Sequence, residues 1–97
     1  MAFAITHFWP GGTQEQYDAV IAAVHPNGGA DLPTGQLFHA GGPCEGGYLI
    51  MAVHDSRASW ETFRDETLMP RTAGLAGGFT TPPIETDVDL HTLWIAK

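Results

Sequence analysis

The sequence predicts an α+β domain in which one sheet carries two helices on a single face. Three observations predict it. Four runs read as strands, over residues 2–8, 36–40, 48–54 and 84–95, and each carries one histidine, His7, His39, His54 and His91. Helical stretches rich in aromatic residues follow the first and third runs, giving the order β-α-β-β-α-β. Ninety-seven residues suffice for one such domain, which buries about two-thirds of its unfolded surface in a modest core. A two-layer arrangement leaves the second sheet face open unless something covers it.

The first strand alternates Phe3, Ile5, His7 and Trp9 on one side with Ala2, Ala4, Thr6 and Phe8 on the other. Pro10-Gly11-Gly12 ends it, since proline cannot donate to the ladder and glycine permits the turn. Thr13 and Gln16 have the spacing of a capping box that opens a helix. Tyr17, Val20, Ile21 and Val24 then form one helical stripe, closed by His25-Pro26-Asn27-Gly28-Gly29. After a loop over 30–35, two strands flank a seven-residue connection, Gly41 to Gly47, that is too glycine-rich for regular structure. Asp55-Ser56 caps the second helix, which carries Trp60, Phe63, Leu68 and Met69. The Gly/Thr/Pro segment 72–83 is a long loop of the kind that is usually mobile or functional. On the last strand, Val88, Leu90, Thr92 and Trp94 are expected on one face. No internal repeat or linker divides the chain, so 1–97 is expected to be one domain.

Composition removes several function classes. Lys and Arg total 4 against 11 Asp and Glu, a net charge of −7, which argues against nucleic acid or an anionic membrane as partner. Cys44 is the one cysteine, so there is neither an internal disulfide nor a cysteine-based zinc site. Residues 1–9 lack a basic leader and a small-residue cleavage site, and no run reaches the length of a membrane span. A soluble, cytoplasmic protein is expected.

The chain resembles the dimeric α+β barrel superfamily, which includes antibiotic-biosynthesis monooxygenases and haem-degrading monooxygenases. The resemblance rests on the element order, on Val53-His54-Asp55-Ser56 running from strand into helix, and on Trp60 and Phe63. It is strongest to a small uncharacterised subfamily through His7-Phe8-Trp9-Pro10-Gly11, Glu15-Gln16-Tyr17-Asp18 and Leu37-Phe38-His39. The resemblance implies a ferredoxin-like fold with an antiparallel sheet of order 4-1-3-2. It also implies a homodimer formed sheet to sheet and a ligand pocket between sheet and helices. The haem-degrading branch has an Asn where His7 stands and a haem-ligating histidine late in the second helix, where Leu68 to Ala73 has none. Haem degradation is therefore disfavoured, and no prosthetic group is expected.

His7 is the first candidate catalytic residue. An imidazole on the helix side of the sheet can take a proton from a phenol or an activated carbon acid. That step precedes cofactor-independent oxidation by O2, because only the electron-rich anion reduces oxygen readily. The strand order brings His39 and Tyr48 toward His7, a His–His–Tyr cluster that suits acid/base work. A metal site is the weaker reading, as no HxH or HxxxH spacing presents two ligands on one element. Trp60 and Phe63 are candidate substrate-binding residues, against the ordinary reading as core. Arg71 is a candidate holder of a substrate oxyanion, against a surface role. His54 is expected to make a structural hydrogen bond, His25 to complement a helix C-terminus, His91 to lie on the polar side of the last strand, and Cys44 to be an exposed, unreactive thiol.

Two functions fit. One is a cofactor-independent monooxygenase-like enzyme acting on an aromatic or polyketide-like small molecule, with His7 as general base. The other is a noncatalytic dimeric ligand-binding or stress-associated protein with structural histidines. An enclosed apolar cavity reaching His7 would favour the first; a core filled by Tyr17, Trp60 and Phe63 would favour the second.

Overall fold

The structure is a computed structural model that describes residues 1–25, 27 and 31–96. Its elements follow the order β1 (Phe3–Pro10), α1 (Gln14–Val24), β2 (Gln36–Cys44), β3 (Gly47–His54), α2 (Arg57–Phe63), a π-helical turn (Arg64–Leu68), α3 (Met69–Thr72) and β4 (Ile84–Asp89). All strand pairs are antiparallel, in the spatial order β2-β3-β1-β4. This is the ferredoxin-like arrangement with the expected strand order.

Local chemistry sets the element ends. The Thr13 hydroxyl accepts from Gln16 N–H at 3.2 Å while Thr13 N–H donates to the Gln16 side chain at 3.0 Å, completing the capping box. Ser56 caps α2 by accepting from Ser59 N–H at 3.1 Å. At the close of α1, His25 N–H donates to the Ile21 carbonyl at 2.7 Å. Pro26, Gly28 and Gly29 of the expected terminator lie outside the described residues.

Two expectations need correction. Residues 41–47 are not an irregular connection: β2 runs to Cys44 and β3 starts at Gly47, with Glu45-Gly46 as a tight turn and Gly46 at φ 84°. Glycine does not break a ladder whose backbone groups are paired. Pro43 is tolerated because β2 is an edge strand, where a missing N–H costs nothing. The last strand also stops at Asp89 rather than continuing to residue 95. Its pairing partner is β1, and the ladder closes with Leu90 N–H on the Ala2 carbonyl at 2.9 Å. The tail beyond follows no strand among the described residues, and Trp94 is 92% exposed.

The core lies between the sheet and the helices. Phe3 and Ile5 from β1, Ala52 from β3, Val24 from α1 and Trp60 and Phe63 from α2 form one buried cluster. Each large apolar side chain buried there is worth about 1.5–3 kcal/mol. On the opposite sheet face, Phe38, Met51, Ile84 and Val88 remain well exposed, the open face a two-layer sheet predicts.

Candidate functional site

Alternation along β1 builds the site. Phe3 and Ile5 are fully buried under the helices, and the next two residues on that side, His7 and Trp9, reach the point where the layers separate. There α2 gives way to the π-helical turn, a distortion that often marks functional sites. A cavity of about 290 Å³ opens over His7 and Trp9, walled by Trp60, Leu68 and Leu75 and predominantly apolar. Phe79 completes the wall by stacking on Trp9 with ring centroids 4.2 Å apart and planes 7° from parallel. The 72–83 segment is therefore part of the site. Val20 of the α1 stripe also faces this space, so the stripe lines a cavity as well as covering the core.

His7 is 11% exposed at its side chain, and its Nε2 lies 3.5 Å from Glu85 Oε1 on β4, its direct register partner. Burial lowers its pKa, opposed by the charge and hydrogen bonding of Glu85 and by the charge of Asp87. The imidazole is thus held neutral at ordinary pH, with a carboxylate beside it to stabilise the imidazolium once it forms. Its ring centroid is 5.5 Å from that of Trp60. Arg64 lines the same cavity, with its Nε donating to the adjacent Asp65 at 2.8 Å.

A smaller cavity of about 70 Å³ adjoins the first, sharing His7, Trp9, Val20 and Leu68 and adding His25, Gln36, His39 and Phe63 to its walls. A register shift between Gln36 and Phe38 lets both Gln36 and His39 face inward. His39 Nε2 is 2.7 Å from Tyr17 Oη. Burial first, then the neighbouring His25 and His54, push the His39 pKa down to about 4. His25 rests edge-on against His39 and stacks on Phe63, and burial lowers its pKa too. It is a buried neutral ring rather than a cation complementing the helix dipole.

The remaining sequence candidates are distributed as follows. Tyr48 is 1% exposed, lines neither cavity, and donates to Gln14 Oε1 at 3.3 Å. His7 and His39 therefore share a cavity, but the phenol bonded to His39 is that of Tyr17. Trp60 faces the larger cavity and Phe63 the smaller, both within the core cluster. Arg71 is exposed and lines neither cavity; the arginine at the wall is Arg64. His54 is fully buried, with Nε2 3.1 Å from the Gln36 amide nitrogen and Nδ1 3.5 Å from Ser59 Oγ. His91 is exposed beside Thr92, and Cys44 is exposed. Among the described residues, no three His, Cys, Asp or Glu side chains gather as metal ligands. No helix among them is long and apolar enough to cross a membrane.

Phe79, Arg64 and Glu85 escaped the sequence reading. Phe79 sits in an irregular segment without period, Arg64 in a π turn that breaks helical spacing, and Glu85 on a strand whose register only the fold fixes. A detectable signal existed for Trp9 alone, as the fourth member of the β1 alternation.

No family model and no curated protein sequence matches the chain. Solved structures do match it over nearly its full length. A protein assigned as an antibiotic biosynthesis monooxygenase from Chloroflexus aurantiacus superposes with a TM-score of 0.66 at 18% identity, covering 99% of this chain and 100% of the other. Rv0793 of Mycobacterium tuberculosis gives 0.64 at 18% identity, covering 99% and 98%. The monooxygenase from the ActVA-Orf6 gene of Streptomyces coelicolor, solved with nanaomycin D, gives 0.58 at 18% identity, covering 99% and 92%. The chain has the α+β fold of the antibiotic biosynthesis monooxygenase-like proteins.

Proposed function

We propose that this protein is a cofactor-independent, monooxygenase-like enzyme that takes an aromatic or polyketide-like small molecule into the larger cavity, with His7 as general base. The observation that carries this reading is the apolar, aromatic-walled cavity of about 290 Å³ that reaches His7, a neutral imidazole 3.5 Å from a carboxylate. Its volume lies near the lower end of small-molecule pockets, about 300–1,000 Å³, and suits a compact planar ligand between Trp60 and the Trp9–Phe79 stack. His7 takes the proton of a phenol or activated carbon acid, and Glu85 stabilises the resulting imidazolium. The substrate anion then reduces O2; one oxygen atom enters the substrate and the other leaves as water. The fold shared with the Streptomyces coelicolor monooxygenase, which binds nanaomycin D, supports the substrate class. It does so as analogy, because one fold hosts many functions.

Homodimer formation through the open sheet face belongs to the same reading. It is supported by the exposed Phe38, Met51, Ile84 and Val88 on that face. Native mass spectrometry of wild type and Met51→Glu tests it: a dimer that the charge converts to monomer is expected, and a monomeric wild type overturns it.

Oxygen uptake with a panel of polycyclic phenols tests the catalytic reading. Wild type should consume O2 and incorporate one atom of it, whereas His7→Ala should lose turnover while keeping its thermal midpoint. Ligand binding without uptake by either protein would favour the noncatalytic alternative, with structural histidines.

A further inference from the structure

Two buried polar atoms have no hydrogen-bond partner among the described residues, the Trp9 indole Nε1 and the Gln36 amide Oε1. One is a donor and the other an acceptor, and both residues line the smaller cavity. Gln36 is 8% exposed, so it pays the full desolvation cost unless something within the protein answers its oxygen. A cavity of about 70 Å³ exceeds the roughly 10–15 Å³ that a single water needs, and buried water is held where two to four polar groups converge. Here the converging groups are Trp9 Nε1, Gln36 Oε1 and the imidazoles of His7, His25 and His39.

The imidazoles of His7 and His39 do not reach one another directly. His7 lies on β1 and His39 on β2, with β3 between them and a two-residue offset in register, so their backbones are about 12 Å apart at the usual strand spacing and rise. Beyond His39 the path continues without a gap, because Tyr17 Oη is 2.7 Å from His39 Nε2. Tyr17 is only half-buried.

We propose that the smaller cavity is a hydrated proton path that joins His7 to the His39–Tyr17 pair and so to solvent. His7, once protonated, gives a proton to the first water, which passes one of its own onward to His39. His39 accepts on one ring nitrogen and releases from Nε2 to Tyr17, whose hydroxyl proton leaves to solvent. Each station takes one proton and gives one, so the chain returns to its starting charge. The path resets the base without requiring the proton to leave through a cavity occupied by substrate. His39 and Tyr17 are relay residues that touch neither substrate nor the reacting atoms. Glu85 and Asp87 on β4 and Arg64 across the larger cavity are charged groups facing His7; His25, His54, Tyr48 and Asp18 surround the His39–Tyr17 end.

The catalytic use of this path rests on His7 acting as base, but the path can be tested without turnover. The probe is water itself. Heteronuclear NMR of the free protein should show long-lived water cross-peaks at the Trp9 indole N–H. With naphthalene, which carries no exchangeable proton, filling the larger cavity, Tyr17→Phe should slow exchange of the His7 ring proton with solvent by about tenfold, the rate equivalent of losing one hydrogen-bonded link. His39→Gln should do the same and serves if Tyr17→Phe does not fold. Tyr48→Phe, which removes a neighbouring hydroxyl off the path, should leave the exchange unchanged. Unaltered exchange in the relay variants overturns the proposal, as does an indole N–H without a bound-water signal. A slowed exchange in a protein with no oxygenase activity would leave the path standing and remove only its catalytic use.

Discussion

Replacing Glu85 by Gln keeps the size and register of the side chain opposite His7 and removes only its charge. The carboxylate stands 3.5 Å from His7 Nε2 and is 51% exposed, so water screens the pair strongly. With a water-like dielectric, two charges at that distance interact by about 1 kcal/mol. Glu85 favours the imidazolium, so its loss should weaken proton binding at His7 by about fivefold. Burial already lowers the His7 pKa, and the substitution should lower it further. The assay is an NMR pH titration of the His7 ring nitrogens in both proteins, repeated at high salt, where the difference should shrink. A midpoint that stays put or rises in Glu85→Gln would refute the claim that this carboxylate tunes the base.

Burial lowers the pKa of His25, His39 and His54. Below pH 6.5 the unfolded chain therefore binds protons that the folded chain refuses, and stability should fall as pH drops toward about 4. His39 alone accounts for up to about 3 kcal/mol of that loss. Urea titrations across this window should show the decline, and His39→Gln should flatten it. Trp60→Ala should cost about 3–5 kcal/mol, because it empties a core position and removes a cavity wall together; denaturant unfolding checks it. In Gly47→Ala the new Cβ would collide with the Trp9 carbonyl oxygen. Calorimetry should report a loss of about 1–3 kcal/mol, accompanied by altered tryptophan fluorescence.

What was legible in the sequence is local chemistry with a fixed period. The Thr13–Gln16 capping box, the Ser56 cap and the alternation from Phe3 to Trp9 depend on neighbours in the chain, and they locate His7 on the helix side of the sheet. The strand order came from resemblance and is present in the structure. Long-range register was not legible. One irregularity near residue 37 decides that Gln36 and His39 share a cavity. The helix opposite decides that Tyr17, not Tyr48, meets the His39 ring. Glycine content misled at 41–47: a Cβ at Gly41 would lie 3.1 Å from the Tyr17 ring, so that position favours glycine through close packing within a regular strand. Glu85 reaches His7 only because β4 pairs with β1, a contact between residues 78 positions apart in sequence.

The central claim is that a ligand in the larger cavity gives its proton to His7. The absorption spectrum of a bound nitrophenol, whose phenolate is yellow, reads that transfer without turnover. Across a pH titration the bound probe should turn yellow at lower pH in wild type than in His7→Ala, because only wild type holds a proton acceptor against the phenol. Identical spectra of the bound probe in the two proteins would contradict the account.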